Sequence, residues 1–220
     1  MKPFLYGASG AALEVYDMVI RNGSLKNRYT EVIFIDDFQD EVEFYGTRRI
    51  KFSSCGRIMQ GEEVEFAVTV GEPSARKLLR EKIEDAGYRL ATLIDETAVI
   101  SPMAQIGEGC VINHGTIISS NVKLSRNAFV MFGGIIGHEA EIGEDVTICP
   151  RTTIGAHCHI GEQTFVGIGS SIMQGVDVGN RAIIGMGSMV FRIVEDDTTV
   201  LGNPARVTKG NDKHIVFYSN

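Results

Sequence analysis

The second half of the chain carries an aliphatic residue at every sixth position, and the residue four places later is small or β-branched from Ala98 to Val194. Neither a helix nor a long strand has this period, so the pattern indicates one short strand and one turn in each repeat. Three repeats make a triangular coil, and we predict a parallel β-helix with an aliphatic axis. The aliphatic positions are Ile94, Ile100, Ile106, Ile112, Ile118, Leu124, Val130, Ile136, Ile142, Ile148, Ile154, Ile160, Val166, Ile172, Val178, Ile184 and Val190.

Glycine often follows the aliphatic position, where we expect the corners of the coils to need compact or unusual backbone geometry. No insertion interrupts the repeat between Ile94 and Val194. Any lid over an active site must therefore come from outside this stretch or from another subunit. The glycines at these positions are Gly107, Gly137, Gly143, Gly155, Gly161, Gly167, Gly179 and Gly185.

The first ninety or so residues follow a different pattern, in which short apolar runs alternate with amphipathic ones. We predict strands at residues 4–6, 32–35 and 65–70 and helices at residues 11–21 and 74–86. This alternation is typical of a small Rossmann-like parallel sheet with a ligand crevice at the carboxyl ends of its strands. The expected domains are residues 1–93, the β-helix at 94–210 and a C-terminal tail at 211–220. The predicted crevice is lined by Ser9, Gly10, Asp36, Asp37 and Gly71.

Charge and composition exclude several classes of partner. The net charge is −7 and no run of Lys or Arg occurs, so nothing indicates binding to nucleic acid or to an anionic membrane. No stretch reaches the roughly 20 apolar residues of a membrane span, and we expect a cytoplasmic protein. The four cysteines have no C-x-x-C spacing, which favours buried reduced thiols over disulfides.

The repeats end in the sequence Gly-Asn-Pro-Ala-Arg at residues 202–206. Together these features resemble the hexapeptide-repeat acyltransferases, whose β-helix is left-handed. Gly-Ala-Ser-Gly at residues 7–10 and Phe-Ile-Asp-Asp at residues 34–37, placed ahead of such repeats, resemble the nucleotide-sugar and sialic-acid acetyltransferases. The resemblance is strongest to the UDP-4-amino-sugar N-acetyltransferases of bacterial glycan synthesis. It implies a homotrimer that binds acetyl-CoA in clefts between subunits and takes a nucleotide sugar as its substrate.

The resemblance also implies roles for individual residues. Histidines that are common in the family are replaced here by Ala11 and Thr147, which leaves the identity of the acceptor and the acetyl-CoA contacts less defined. The positions expected to hold the sugar nucleotide are Ser9, Gly10, Ala11, Asp36, Asp37 and Gly71. The positions expected to contact acetyl-CoA are Thr147, Ile168, Gly185 and Met186, with a backbone N–H near Gly155 stabilising the oxyanion.

Acetyl transfer to an amine or hydroxyl needs a general base, and a neutral histidine suits this role near pH 7. His138 occupies an outward position of its repeat and is followed by Glu139, whose carboxylate can orient the ring if the backbone bends there. The resemblance implies that these two residues are the base and its supporting carboxylate. A cysteine nucleophile is not expected, because Cys110 and Cys158 fall on inward positions.

The histidines also raise a metal alternative, since β-helix enzymes can hold zinc with three imidazoles. The residues one 18-residue coil away from His138 are at positions 120 and 156, and neither is histidine. We therefore predict no metal site. The candidate ligands would have been His114, His138, His157 and His159.

We predict an acetyl-CoA-dependent N-acetyltransferase that acetylates the amine of a nucleotide-linked amino sugar by direct transfer. One alternative keeps the donor and makes the acceptor a hydroxyl of a sugar or sialic acid, because one general base serves both acceptors. The other alternative is a non-catalytic, trimeric scaffold that binds a nucleotide sugar. A buried His138, or one turned away from the cleft, would favour the scaffold.

Overall fold

The computed structural model describes residues 2–40, 42–59 and 63–217, and residues 218–220 of the predicted tail lie outside this range. An α/β domain comes first and a column of stacked short strands follows. The first strand of the column, Leu93–Ile94, spans the predicted domain boundary.

The N-terminal domain is built on a six-stranded sheet with the order β3-β4-β2-β1-β5-β6. All neighbouring strands pair in parallel except β3 and β4, which form an antiparallel hairpin. The strands are β1 (Lys2–Tyr6), β2 (Ile33–Ile35), β3 (Val42–Phe44), β4 (Thr47–Ile50), β5 (Val64–Val68) and β6 (Arg89–Leu90). The helices are α1 (Gly10–Arg21), α2 (Gly23–Arg28), α3 (Cys55–Met59) and α4 (Pro73–Asp85), with a 3₁₀ turn at Phe52–Ser54.

The three predicted strands and two predicted helices of this domain are confirmed as β1, β2, β5, α1 and α4. Strands β1, β2 and β5 are apolar because both faces of the central sheet are covered. Helix α1 packs one apolar stripe, Ala12, Val15, Met18 and Val19, against one of these faces. The β3–β4 hairpin was not predicted; its turn places Tyr45 and Gly46 at positive φ.

The column has three parallel faces, and each strand pairs with the strand one coil away in register. The first face contains β7 (Leu93–Ile94), β10 (Val111–Ile112), β13 (Phe129–Val130), β16 (Thr147–Ile148), β19 (Phe165–Val166), β22 (Ile183–Ile184) and β24 (Thr198–Leu201). The second face contains β8 (Val99–Ile100), β11 (Ile117–Ile118), β14 (Ile135–Ile136), β17 (Thr153–Ile154), β20 (Ser171–Ile172) and β23 (Met189–Val190). The third face contains β9 (Gln105–Ile106), β12 (Lys123–Leu124), β15 (Glu141–Ile142), β18 (His159–Ile160) and β21 (Asp177–Val178).

The axis of the column is filled as the repeat predicts. From Ile112 onward the aliphatic positions are buried, and they form one cluster with small inward residues such as Ala128, Cys158 and Ala182. The four cysteines are buried, also as predicted.

The corner glycines are needed for close contact between coils and not for an unusual φ. A Cβ on Gly137 would lie 2.5 Å from the backbone nitrogen of Ala156, and Gly161 is equally close to the coil above it. The left-handed residues come two positions after these glycines. At the corner between the second and third faces they are Asn121, Glu139, His157 and Gly175, spaced one coil apart with φ between 55° and 73°.

A buried polar network joins helix α4 to the column. The Arg76 side chain is fully buried and donates hydrogen bonds to the carbonyl and side-chain oxygens of Asn127 at 2.6 and 3.0 Å. Arg80 forms a two-bond ion pair with the buried carboxylate of Asp145 at 3.0 and 2.8 Å. Asn127 also donates to Asp145 at 2.7 Å, so the four side chains form one connected group.

The column ends in an antiparallel hairpin of β24 and β25 (Arg206–Gly210). The chain then turns at the buried Asn211 and returns towards the N-terminal domain. The backbone N–H groups of Val216 and Phe217 donate to Glu72 Oε2 at 3.0 and 2.9 Å. The described part of the tail therefore bridges the two domains.

Candidate active site

A cavity of about 800 Å³ lies where the N-terminal domain meets the first face of the column. Its walls are formed by the start of α1, the turn after β5, the tail, and the strand ends and corners at β13, β16, β19 and β22. It brings together members of both predicted binding sets. From the acceptor set Ser9, Ala11 and Gly71 line it, and from the donor set Thr147, Ile168, Gly185 and Met186 line it.

The amino end of α1 opens onto this cavity. Ser9 is the residue before the helix, and its hydroxyl forms no capping hydrogen bond with the helix. A Cβ on Gly10 would meet no atom within 4 Å, so packing alone does not require glycine there. Unpaired N–H groups at a helix start attract phosphate oxygens, and this end of the cavity suits the phosphates of a nucleotide.

The other side of the cavity is apolar. Phe165, Ile183 and Cys149 form a buried cluster here, joined by Met131. Among them the Thr147 hydroxyl is buried without a hydrogen-bond partner. A buried polar group is normally paired, so this hydroxyl is suited to a polar atom of a ligand such as the acetyl donor.

The titratable side chains that line the cavity are two carboxylates, Glu14 and Glu72, and one thiol, Cys149. Burial raises the pKa of Glu14, with the charge of His114 acting in the opposite direction. Glu72 already accepts hydrogen bonds from the tail, as described above. Burial raises the pKa of the Cys149 thiol to about 12, which leaves very little thiolate near pH 7. Sequence reasoning missed Glu14, Glu72 and Cys149, since none belongs to a recognised motif.

The two predicted aspartates lie outside the residues that line the cavity. The Asp36 carboxylate accepts from the N–H of Phe38 at 2.9 Å in a local turn. Asp37 accepts hydrogen bonds from the Tyr6 hydroxyl and from Lys82. Burial alone would raise the pKa of Asp37, but these hydrogen bonds lower it overall. Asp37 is therefore committed to partners within the domain.

His138 and Glu139 lie at the corner between the second and third faces, away from the lining of the cavity. The His138 side chain is 54% exposed, so the ring is open to solvent. The backbone bends here as the chemistry requires, because Glu139 is left-handed with φ 58°. The Nδ1 atom of His138 is 3.6 Å from Glu139 Oε2, which is longer than a hydrogen bond.

Glu139 has a closer partner than His138. His157 Nδ1 lies 2.9 Å from the same Oε2 atom, and the rings of His138 and His157 pack edge to face with centroids 4.9 Å apart. The positions exactly one coil from His138, 120 and 156, hold no histidine. His157 is instead one coil from Glu139 and reaches His138 diagonally across the corner.

An oxyanion-stabilising N–H was predicted near Gly155, and the N–H of Gly155 itself already has a partner. Gly155 lies at the same corner as His138, but its N–H donates to the Ile172 carbonyl oxygen at 2.9 Å. This N–H is part of the ladder between coils and is unavailable to a substrate. Gly155 is also absent from the residues that line the cavity.

The other histidines are separated from one another. His114 stacks on Phe132, with ring centroids 5.2 Å apart, and His159 faces Glu141 at 3.5 Å on the third face. Within the described ranges, one group of side chains has potential metal-ligand atoms within 4.8 Å of one another, and it consists of His138, Glu139 and His157. Of the four histidines considered as zinc ligands, His138 and His157 come together and His114 and His159 lie elsewhere.

None of the helices in the described ranges has the length and apolar character that crossing a membrane requires.

Two family models match the chain. Residues 2–83 match the PglD N-terminal domain, and residues 157–192 match the bacterial transferase hexapeptide (six repeats). These matches confirm the predicted family resemblance and the predicted fold class, a Rossmann-like domain followed by a left-handed parallel β-helix.

Solved structures of similar proteins extend over both domains. The acetyltransferase domain of PglB from Neisseria gonorrhoeae in complex with acetyl coenzyme A is 26% identical, with a TM-score of 0.86, covering 94% of this chain and 98% of that one. A histidine mutant of perosamine N-acetyltransferase from Caulobacter crescentus, in complex with CoA and GDP-perosamine, is 23% identical, with a TM-score of 0.84, covering 95% and 97%. WeeI from Acinetobacter baumannii is 24% identical, with a TM-score of 0.75, covering 94% and 100%.

Proposed function

We propose that this chain, which resembles the nucleotide-sugar acetyltransferases of the hexapeptide family, transfers an acetyl group from acetyl-CoA to the amine of a nucleotide-linked amino sugar. The observation that carries the proposal is the shared cavity. Positions expected to bind the acceptor and positions expected to contact the donor line one space of about 800 Å³. Such a space can hold the two reacting groups side by side.

The two walls suit the two substrates. The start of α1, with Ser9 and Gly10, offers N–H groups to the phosphates of a nucleotide. The side with Thr147, Ile168 and Met186 offers apolar contacts and one unpaired hydroxyl to the acetyl end of acetyl-CoA. The structure of PglB contains acetyl coenzyme A, and that of perosamine N-acetyltransferase contains CoA and GDP-perosamine. These bound molecules belong to the same two chemical classes, an acetyl donor and a nucleotide-linked amino sugar.

The general base of this proposal comes from a second copy of the chain. His138 lies at a corner that does not line the cavity of its own chain, so the site is incomplete without a neighbour. The second face offers an apolar strip for such contact, because Val99, Ile117 and Ile135 are exposed at intervals of one coil. A homotrimer places the same corner of each copy beside the cavity of the next and gives three equivalent sites.

The reaction is a direct transfer. Nδ1 of His138 faces Glu139, which leaves Nε2 directed away from the carboxylate and able to take the proton of the attacking amine. The amine nitrogen forms a bond to the acetyl carbon, and Glu139 stabilises the imidazolium that results when His138 takes the amine proton. The carbon–sulfur bond then breaks, the imidazolium returns this proton to the sulfur, and CoA leaves as its thiol. The protein works in the cytoplasm, where acetyl-CoA and nucleotide sugars are available.

A hydroxyl acceptor is the second candidate, since the same base serves it. A test with purified protein uses acetyl-CoA, a panel of UDP-, GDP- and dTDP-linked amino sugars, the matching sugars without the amine, and free sialic acids. Release of thiol with the amino sugars alone, and a product stable to hydroxylamine, would support N-acetylation. Transfer to the sugars without an amine or to sialic acids would favour an O-acetyltransferase. No thiol release with any member of the panel would favour the non-catalytic, nucleotide-sugar-binding scaffold.

His138→Ala tests the assignment of the base. We expect kcat to fall by about 10²–10⁴-fold because the proton acceptor is lost, with the far-ultraviolet circular dichroism unchanged. His159→Ala is the matched control, because His159 is equally exposed and also faces a glutamate. A near-normal rate for the His138 variant would remove this residue from the role.

A further inference from the structure

We infer that His157 is a positioning residue for His138 and that it acts through the carboxylate of Glu139. The inference rests on the proposed function, because it takes His138 as the general base. His157 Nδ1 lies 2.9 Å from Glu139 Oε2, which is hydrogen-bonding distance, whereas His138 Nδ1 is 3.6 Å away. The carboxylate that faces the base is therefore held by a second imidazole.

The backbone of the column produces this arrangement. Glu139 and His157 occupy the same left-handed corner position in successive coils, with φ 58° and 55°. The N–H of His157 donates to the carbonyl oxygen of His138 at 3.0 Å, which fixes the two coils in register at this point. Side chains that leave the backbone at equivalent points of adjacent coils are neighbours, so the contact is built into the repeat.

His157 limits the freedom of a carboxylate that is otherwise about half exposed. Without that hydrogen bond, the Glu139 side chain can rotate into solvent and leave His138 Nδ1 without an acceptor. With it, the carboxylate stays beside the ring as His138 takes the proton, and attraction to the imidazolium closes the remaining gap. His159 and Glu141 form a separate pair on the third face.

The column itself indicates which substitutions at position 157 keep the fold. Gly175 occupies the same corner one coil later with φ 73°, so His157→Gly removes the side chain without straining the backbone. Asn121 occupies it one coil before Glu139 with φ 58°, and asparagine tolerates this conformation. The amide nitrogen of asparagine is also at the δ position, like Nδ1 of histidine. His157→Asn therefore keeps a hydrogen-bond donor for Glu139.

Steady-state kinetics of these variants test the inference. We expect His157→Gly to lower kcat by about 5- to 10-fold, the effect of one lost hydrogen bond, with KM for both substrates unchanged. His157→Asn should recover most of the loss, and His159→Ala should match the wild type. In a Glu139→Gln background, His157→Gly should cause no further loss. A wild-type kcat in His157→Gly, failure of His157→Asn to recover, or an additive loss in the double variant would overturn the inference.

A second measurement does not depend on turnover. In ¹⁵N-labelled protein, the imidazole resonances of His138 should move in His157→Gly and in Glu139→Gln, and should not move in His159→Ala. If no sugar is acetylated but the resonances respond in this way, the proposed function fails while the contact through Glu139 stands. If the wild type acetylates a sugar normally but the His138 resonances do not move in His157→Gly, the inference fails and the proposed function stands.

Discussion

Single side chains decide which chemistry the cavity can perform. Cys149 is the one thiol among the residues that line it, and it stands close to the side assigned to the acetyl donor. Burial raises the pKa of this thiol to about 12, and that of the inward Cys110 to about 11. The thiolate is the form of cysteine that attacks a thioester, and both residues remain protonated near pH 7. Neither residue is therefore expected to accept the acetyl group.

We expect Cys149→Ala to keep kcat within about 3-fold of the wild type, because no covalent step passes through the thiol. Mass spectrometry of quenched wild-type reactions should find unmodified protein. Protein heavier by one acetyl group at early times, absent in the Cys149 variant, would contradict direct transfer.

The residues of the site differ in how far the sequence could predict them. His138 lies on an outward position of a strict repeat, so its exposure followed from the hexad pattern. His157 was missed because contacts at a left-handed corner run diagonally between coils, whereas those on a flat face run straight. Asp37 was assigned to the ligand because the sequence did not reveal Lys82 as its partner, which is brought close only by the packing of α4.

At the scale of elements, the tail is the part that the repeat could not predict. The tail contacts the N-terminal domain through the acceptor Glu72, and Phe217 packs edge to face against Phe165 of the column with ring centroids 5.3 Å apart. Val216 and Phe217 thereby become walls of the cavity. The strands of the column were predictable because every coil repeats one environment. The short β4 and β6 strands depend on pairing with β2 and β5, which are remote in sequence, and β3 depends on its hairpin with β4.

Phe217→Ala should raise KM for one of the two substrates by about 3- to 10-fold, because the variant removes an apolar wall. We expect kcat to change less, since the reacting groups are unaffected. Lys213→Ala, an exposed substitution in the same segment, is the control. Equal KM values for the wild type and Phe217→Ala would show that neither substrate contacts the tail.

At the scale of the whole molecule, the buried network of Arg76, Arg80, Asn127 and Asp145 sets the position of one domain against the other. Arg80 and Asp145 are almost fully buried and pair with each other, and the more exposed Glu84 also pairs with Arg80 at 3.0 Å. Helix α4 begins immediately after Gly71 and Glu72, and Thr147 follows Asp145 closely in the chain. The same contacts that join the domains therefore fix the width of the cavity.

Asp145→Asn should lower the free energy of unfolding by about 3 kcal/mol, because the buried Arg80 guanidinium loses its buried two-bond partner and keeps only more exposed carboxylate partners such as Glu84 and Glu144. Asparagine keeps the left-handed corner, so backbone strain does not contribute. The chain has no tryptophan, and five of its six tyrosines lie in the first 88 residues, so tyrosine fluorescence in urea follows the N-terminal domain.

Glu141→Gln is the control for this prediction. It breaks the exposed pair of Lys123 and Glu141, and we expect a change of less than about 1 kcal/mol. Equal effects of the two substitutions would mean that the buried network does not hold the domains together.

The hairpin at the end of the column has a consequence for how the protein behaves when concentrated. A stack of parallel strands leaves open N–H and C=O groups on its last coil, which can template the addition of further strands and so the growth of fibrils. Strand β25 crosses this end of the first face in the opposite direction and carries Arg206 and Lys209 outward. Antiparallel capping by a basic strand makes that end a poor seed for polymerisation.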